Sequence, residues 1–146
     1  MKASTIYIYF NGECENAFNL YKEIFKTDLL SIIRYRDVPW QENIPIVSKE
    51  YLDKIENASL RISENMLLMG SDTITPESGN QKMEYHFSIY LEAETKEEAE
   101  RVFNGLSEQG TITMPLSVAH WGDLFGMCTD MFGMKWMINY KEIKRK

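Results

Sequence analysis

The order strand–helix–strand–strand–strand occurs twice along these 146 residues, and that repeat limits the fold more than any other feature. Thr5 to Phe10 alternates as a strand, with Ile6, Ile8 and Phe10 on one face and Thr5, Tyr7 and Tyr9 on the other. Asn11-Gly12 marks a turn. A helix is predicted from about Glu13 to Phe25, because Ala17, Leu20, Tyr21 and Ile24 recur at i, i+3, i+4 and i+7. Asp28 to Tyr35, Ala58 to Ile62 and Met66 to Gly70 read as strands, the last two around a tight Ser63-Glu64-Asn65 turn. Asp37 to Asn57 is polar, carries Pro39 and Pro45, and has room for a short helix near Ser48 to Ile55. Ser71 to Lys82, with Pro76 and Gly79, reads as the linker.

The second half repeats the order. Tyr85 to Leu91 is a predicted strand, with Phe87, Ile89 and Leu91 on one face and His86, Ser88 and Tyr90 on the other. Thr95 to Glu108 is a predicted helix, with a Thr95/Glu98 capping box, an Ala99, Val102, Phe103 and Leu106 stripe, and Gly110 as its stop. Thr111 to Ser117, Leu124 to Thr129 and Met134 to Tyr140 complete the strands. Sliding the halves so that Thr5 meets His86 sets Ile6, Ile8 and Phe10 on Phe87, Ile89 and Leu91. A shift of 82 sets Ala17 on Ala99, and a shift of 68 sets Met69 on Met137. The expected organisation is one domain of two βαβββ modules, residues 1–75 and 80–146. Each module is too small to stand comfortably alone, so the two are expected to pack together.

Composition narrows the class. The 22 acidic residues outnumber the 16 basic ones, giving a net charge of −6, which argues against nucleic acid as a partner. The basic run Lys141, Lys144, Arg145 and Lys146 reads as a solvated tail. No stretch approaches the roughly 20 apolar residues of a membrane span. The opening MKASTIYIYF is too short and strand-like for a signal peptide. Two cysteines, Cys14 and Cys128, form neither a disulfide framework nor a metal spacing. Cys14 falls in the first helical turn, where a thiolate is favoured, but no general base stands beside it in sequence, and the inert reading is preferred. A cytoplasmic location is expected.

Several short stretches carry a family resemblance. They are Tyr9-Phe10-Asn11-Gly12 followed by Ala17-Phe18 and Tyr21-Lys22, then Ala58-Ser59-Leu60-Arg61-Ile62 and Leu68-Met69-Gly70-Ser71-Asp72. The most specific is Trp121-Gly122, Phe125-Gly126, Asp130, Phe132-Gly133 and Trp136 through Asn139-Tyr140. With the duplicated βαβββ order, the chain resembles the PhnB-like branch of the vicinal oxygen chelate superfamily, which includes glyoxalase I, extradiol dioxygenases and bleomycin-binding proteins. The resemblance implies an α+β fold of two curled mixed sheets around a cavity, and a homodimer, often with elements exchanged between chains.

The resemblance also implies where a metal would sit. Catalytic relatives hold a divalent ion on four side chains, usually His, Glu or Gln, from the first and last strands of each half. The matching positions here are Thr5, Met69, His86 and Met137. Of these only His86 is a good ligand, since thioethers suit soft Cu(I) and a catalytic zinc takes three protein ligands. No metal and no cofactor are therefore expected. The branch also bears a ubiquinone-pathway methyltransferase label, but no Gly-rich strand-to-helix loop is present to cradle a nucleotide-like cofactor.

The expected ligand cavity is lined by Thr5, Tyr7, Tyr9, Met69, His86, Ser88, Tyr90, Trp121, Phe125 and Met137, an aromatic and thioether surface suited to a small, partly apolar or aromatic molecule. His86 is a weak candidate for a general base. His120 has less support. Arg34, Arg36 and Arg61 read as surface charge. Asp130 and Gly133 read as turn residues, Trp121 and Trp136 as edge and core aromatics. The leading expectation is metal-free binding of a small molecule. One alternative is a metal-dependent lyase or dioxygenase with an atypical site around His86. A second is a non-catalytic dimeric interaction protein with a filled cavity.

Overall fold

Alternation along Ile6–Phe10 decides the first sheet: Ile8 and Phe10 are buried while Tyr7 and Tyr9 stay exposed. This strand, β1, is followed by α1 (Cys14–Phe25), β2 (Leu29–Arg34), β3 (Ile55–Ser63) and β4 (Met66–Asp72). A computed structural model describes residues 1–39, 46–74 and 84–141. The linker residues Pro76 and Gly79, together with Pro45 and the basic residues Lys144, Arg145 and Lys146, lie outside them. Contacts divide the chain into two compact units, Met1–Met83 and Glu84–Lys146.

In the first unit the strand order is β1-β4-β3-β2, with β1 parallel to β4 and the other pairs antiparallel. Helix α1 covers one face with Cys14, Ala17, Phe18, Tyr21 and Ile24, all buried. Leu20, expected on this stripe, is half-buried, and Phe18 takes its place. The reason lies across the interface. A Cβ on Gly70 would stand 2.9 Å from the Phe18 ring, so the missing side chain in β4 makes room for it. Phe18 then packs edge-on against Phe10 at 6.0 Å.

The connection from β2 to β3 holds two single 3₁₀ turns, Tyr35–Asp37 and Lys49–Tyr51. The expected short helix near Ser48 to Ile55 is reduced to the second of these, because Ile55 is already committed to the β3 ladder opposite Arg34. The linker also begins later than expected: Ser71 and Asp72 belong to β4, where they pair with Tyr9 and Phe10.

The second unit contains β5 (Ser88–Glu92), α2 (Lys96–Ser107), β6 (Thr111–Val118), β7 (Leu124–Thr129) and β8 (Lys135–Tyr140). Its order, β5-β8-β7-β6, is that of the first sheet, again with one parallel pair, β5 with β8. The fold is therefore α+β, with two mixed four-stranded sheets of βαβββ connectivity. Helix α2 buries Ala99, Val102, Phe103 and Leu106. Thr95 Oγ1 accepts the Glu98 N–H at 3.0 Å, and the Glu98 carboxylate returns to the Glu94 N–H at 2.9 Å. The left-handed residue after the helix is Gln109 (φ 61), not Gly110. What requires glycine at 110 is crowding, since a Cβ there would lie 2.2 Å from the Thr129 carbonyl oxygen.

Strand β5 begins at Ser88, so Tyr85, His86 and Phe87 fall before it. A strand needs a partner, and β8 starts only at Lys135, opposite Ser88. The residues before it form the Asp130 turn, in which the Asp130 carboxylate accepts the N–H groups of Phe132 and Met134 and the Trp136 indole N–H. The ladders also correct the repeat. Tyr7 lies opposite Met69 and Tyr90 opposite Met137, so Tyr7 matches Tyr90 and Thr5 matches Ser88 rather than His86.

Candidate functional site

Each sheet has one face under its helix and one free of it, and strand parity decides which side chains the free face carries. In the first unit Gly70 faces α1, so its neighbours Met69 and Ser71 point the other way, beside Tyr7 and Tyr9. The two tyrosine rings stand 5.3 Å apart at 42°. The Tyr7 hydroxyl accepts from Asn57 Nδ2 at 3.3 Å and donates to the Glu56 carbonyl at 3.4 Å. Thr5 is exposed, one residue before β1.

In the second unit Gly126 faces α2, where a Cβ would meet the Phe103 ring at 2.7 Å. Phe125 and Met127 therefore point to the free face. Cross-strand pairing sets Tyr90, Met137, Met127 and Met114 in one row across all four strands. A second row runs through Glu92, Asn139 and Phe125, and Ser88 stands opposite Lys135. Tyr90 is 52% exposed, and its hydroxyl meets a Glu92 carboxylate oxygen at 3.4 Å. Burial, with the Glu92 charge behind it, pushes this phenol up. Trp121, 50% exposed, sets its ring edge-on to Phe125 at 5.1 Å, and His120 packs on Trp121 at 4.8 Å. Asn139 Nδ2 donates to Asp123 Oδ2 at 3.0 Å.

The ladders thus bring Tyr7, Tyr9 and Met69 together on one free face, and Ser88, Tyr90, Phe125 and Met137 on the other, with Trp121 on Phe125. His86 is not among them. It is exposed in a bend, four positions before the residue that faces Met137. Met127, Met114, Asn57 and Lys135 went unnoticed in the sequence. Parity along Leu124 to Thr129 would have placed Met127 beside Phe125, whereas Met114 sits between two register irregularities that no sequence period reveals.

A third feature is a polar cleft of about 230 Å³ at the start of α1, lined by Glu15, Arg34, Asp53, Lys54 and Asp72 among others. Its charges are answered within the chain. Arg34 holds both Glu15 oxygens and donates to the Asp53 carbonyl at 2.7 Å. Lys54 Nζ donates to the Gly12 carbonyl at 3.1 Å. Arg36 pairs with Asp53 at 2.8 Å, and Arg61 donates to the Glu64 carbonyl. The cysteines are likewise closed off. Both are buried and unpaired. Burial first, then Asp72 and Glu15, pushes the Cys14 thiol up, so its place in the first helical turn does not favour a thiolate. Burial and Asp130 push Cys128 up to about 12.

Among the described residues no group of three or more His, Cys, Asp or Glu side chains is placed to hold a metal ion. The matching positions Thr5, Ser88, Met69 and Met137 offer two hydroxyls and two thioethers, with the His86 imidazole outside the sheet, a donor set that does not fit a hard or borderline divalent ion. Among the described residues no helix is long and apolar enough to cross a membrane.

The comparisons with known proteins agree with this fold. Residues 2–139 match the family model described as 3-demethylubiquinone-9 3-methyltransferase. Protein YjdN from Escherichia coli K12 is 32% identical over 139 residues, covering 91% of each chain. The crystal structure of PA1353 from Pseudomonas aeruginosa is 35% identical, with a TM-score of 0.78 over 95% of this chain and 98% of that one. The PhnB protein from Bacillus cereus is 26% identical, with a TM-score of 0.76 over 95% and 99%. The likeness of fold extends to a glyoxalase/bleomycin resistance protein/dioxygenase family enzyme from Burkholderia phytofirmans, at 11% identity and a TM-score of 0.60, covering 94% of this chain and 97% of that one. The chain belongs to the PhnB-like branch of the vicinal oxygen chelate superfamily, the family whose model bears the 3-demethylubiquinone-9 3-methyltransferase description.

Proposed function

We propose that this protein binds a small, partly apolar or aromatic molecule on the helix-free faces of its sheets, without a superfamily metal centre. The observation that carries the reading is the exposure of Tyr90 and Trp121 beside a row of methionines, with Tyr7 and Tyr9 similarly exposed in the other unit. A sheet face meant only for water alternates to polar residues. Methionines, with their adaptable shape, and rigid aromatics suit contact with a flat ligand instead.

Two other readings have less behind them. A lyase or dioxygenase centred on His86 would need further ligands beside that residue, and it stands outside β5. Methyl transfer, named by the family description, would need a cradle for the methyl donor. The β1–α1 turn has a single glycine, Gly12, whose carbonyl is taken by Lys54, and the β5–α2 connection carries Glu94 shortly after Glu92 ends β5. These residues do not fit such a group.

We also propose that the protein is a cytoplasmic homodimer. Support for the dimer comes from the edge strands: β2 exposes Leu30, Ile32 and Ile33, and β6 exposes Ile112, Met114 and Val118. Exposed apolar edges are otherwise an aggregation hazard. Light scattering on a size-exclusion column reads the dimer directly, and cell fractionation reads the location.

The binding reading is tested by a thermal-shift screen with flat aromatic and amphipathic compounds, followed by titration calorimetry. A ligand that prefers the native state raises its apparent stability. The expected result is at least one saturable hit that is lost in Tyr90→Ala. A screen without hits, together with an unchanged Tyr90→Ala profile, contradicts the reading and favours a dimer whose faces are filled by protein.

A further inference from the structure

We infer that the molecule taken by the second unit's free face is an organic acid: a flat apolar body with a carboxylate directed at Lys135. This rests on the small-molecule reading above and names the ligand class for the same face. The face is banded. One row across three strands is Ser88, Lys135 and Thr129, two hydroxyls flanking an ammonium. The next row, two residues along each strand, is Tyr90, Met137 and Met127, an aromatic ring and two thioethers. Rows two residues apart lie about 7 Å from one another, so a ring resting on the second row can direct its acid group toward the first.

The charge pattern sets the sign. Lys135 is exposed, and among the described residues no carboxylate pairs with it. The acids of this face are at its other end. Glu92 is bridged to Lys141 at 3.5 Å, and Asp123 accepts the Asn139 amide. Rows four residues apart are about 13 Å distant, beyond a Debye length at physiological salt. Lys135 with its two hydroxyl neighbours is therefore a donor row that an anionic oxygen pair satisfies, next to a surface that a ring satisfies. A cationic ligand would set its charge against Lys135, and a neutral one would gain no charge-assisted hydrogen bond from it.

The test uses the full chain with methionine methyl groups labelled with carbon-13. The probes are naphthalene-2-carboxylate, its neutral carboxamide, and 2-naphthylmethylammonium. The expected result is that the carboxylate moves the Met137 and Met127 methyl signals and binds about five- to tenfold more tightly than the carboxamide. Lys135→Gln is expected to erase that preference and Lys135→Arg to keep it, with the carboxamide affinity unmoved in both. Circular dichroism checks that each variant is folded, and the wild-type carboxylate-to-carboxamide ratio is informative without any variant. If the carboxamide or ammonium binds as well as the carboxylate, or the preference survives Lys135→Gln, the acid assignment is overturned while the small-molecule reading stands. If no probe moves either methionine signal, both fall.

Discussion

Tyr90 lies directly opposite Met137 in the β5–β8 ladder, as Tyr7 lies opposite Met69 in the β1–β4 ladder. Both tyrosines stand on helix-free faces and are at least 40% exposed. An exposed aromatic contributes little to folding, so Tyr90→Ala is expected to change stability by no more than about 0.5 kcal/mol. The same change removes a ring from the proposed binding row and is expected to weaken an aromatic ligand by about 1–2 kcal/mol. Urea denaturation and calorimetry on one preparation read both quantities. A large loss of stability would assign Tyr90 to the core instead.

Asp72 connects three elements. One oxygen accepts the Cys14 N–H at 2.9 Å, doing for α1 what its own N-cap Glu13 does not, and the other accepts the Ile55 N–H at 2.9 Å. Asp72→Ala leaves two buried N–H groups unanswered and is expected to cost about 2–4 kcal/mol. Burial raises the Asp72 pKa above its ordinary 3.8, against the opposing pull of the Ile55 and Cys14 N–H groups and Lys54. The native state therefore holds the proton more tightly than the unfolded chain. Its contribution is fully present below pH 3.8 and falls as pH rises through the raised native value. The stability difference between wild type and Asp72→Asn should fall across that window and be flat above it. A difference that rises with pH would contradict the assignment.

The pattern of apolar residues was enough to place the two helices and eight strands found among the described residues, and clearest where the period is regular. Ala99, Val102, Phe103 and Leu106 are buried together as their spacing predicts. Helix α1 was less legible. Phe18 displaces Leu20 because of an absent side chain at Gly70, about 50 residues away, and no local period encodes a hole in a distant strand. The start of β5 was hidden for a related reason, since Tyr85 to Phe87 have strand character but no partner strand. That missing partner also moves His86 out of the sheet. On the free faces the tyrosines followed from alternation and Met137 from the resemblance, whereas the Met114 pairing depends on irregularities in β6.

Two glycines separate steric from conformational need. At Gly110 a Cβ would meet the Thr129 carbonyl oxygen at 2.2 Å and Asp130 Cα at 3.0 Å, both backbone and unable to step aside. Gly122 has a positive φ of 96° and open space around it. Gly110→Ala is expected to cost about 2–4 kcal/mol through forced backbone movement, and Gly122→Ala about 1 kcal/mol through backbone strain alone. Chemical denaturation of the two variants side by side checks the order. Equal costs would mean that the Gly110 crowding relaxes freely.

Cys14 and Cys128 are buried thiols whose surroundings keep them neutral. Cys128 rises from 9.0 to about 12 through burial and the Asp130 charge, and Cys14 rises further through burial with Asp72 and Glu15. Since the thiolate is the reactive form, neither should react with a disulfide reagent at pH 8 in the folded protein, and both should react in urea. In the unfolded chain both thiols ionise near 9, while the native ones stay protonated. Their contribution to stability is therefore complete below pH 9 and declines as pH rises, for Cys128 up to about pH 12. A serine in place of either cysteine removes its part of the alkaline decline, and its hydroxyl, buried without a designed partner, costs about 1–3 kcal/mol at neutral pH. Thiol counts in native buffer and in urea, with denaturation curves at pH 8 and pH 10, test this. One fast-reacting thiol in the native protein would show a site open to solvent.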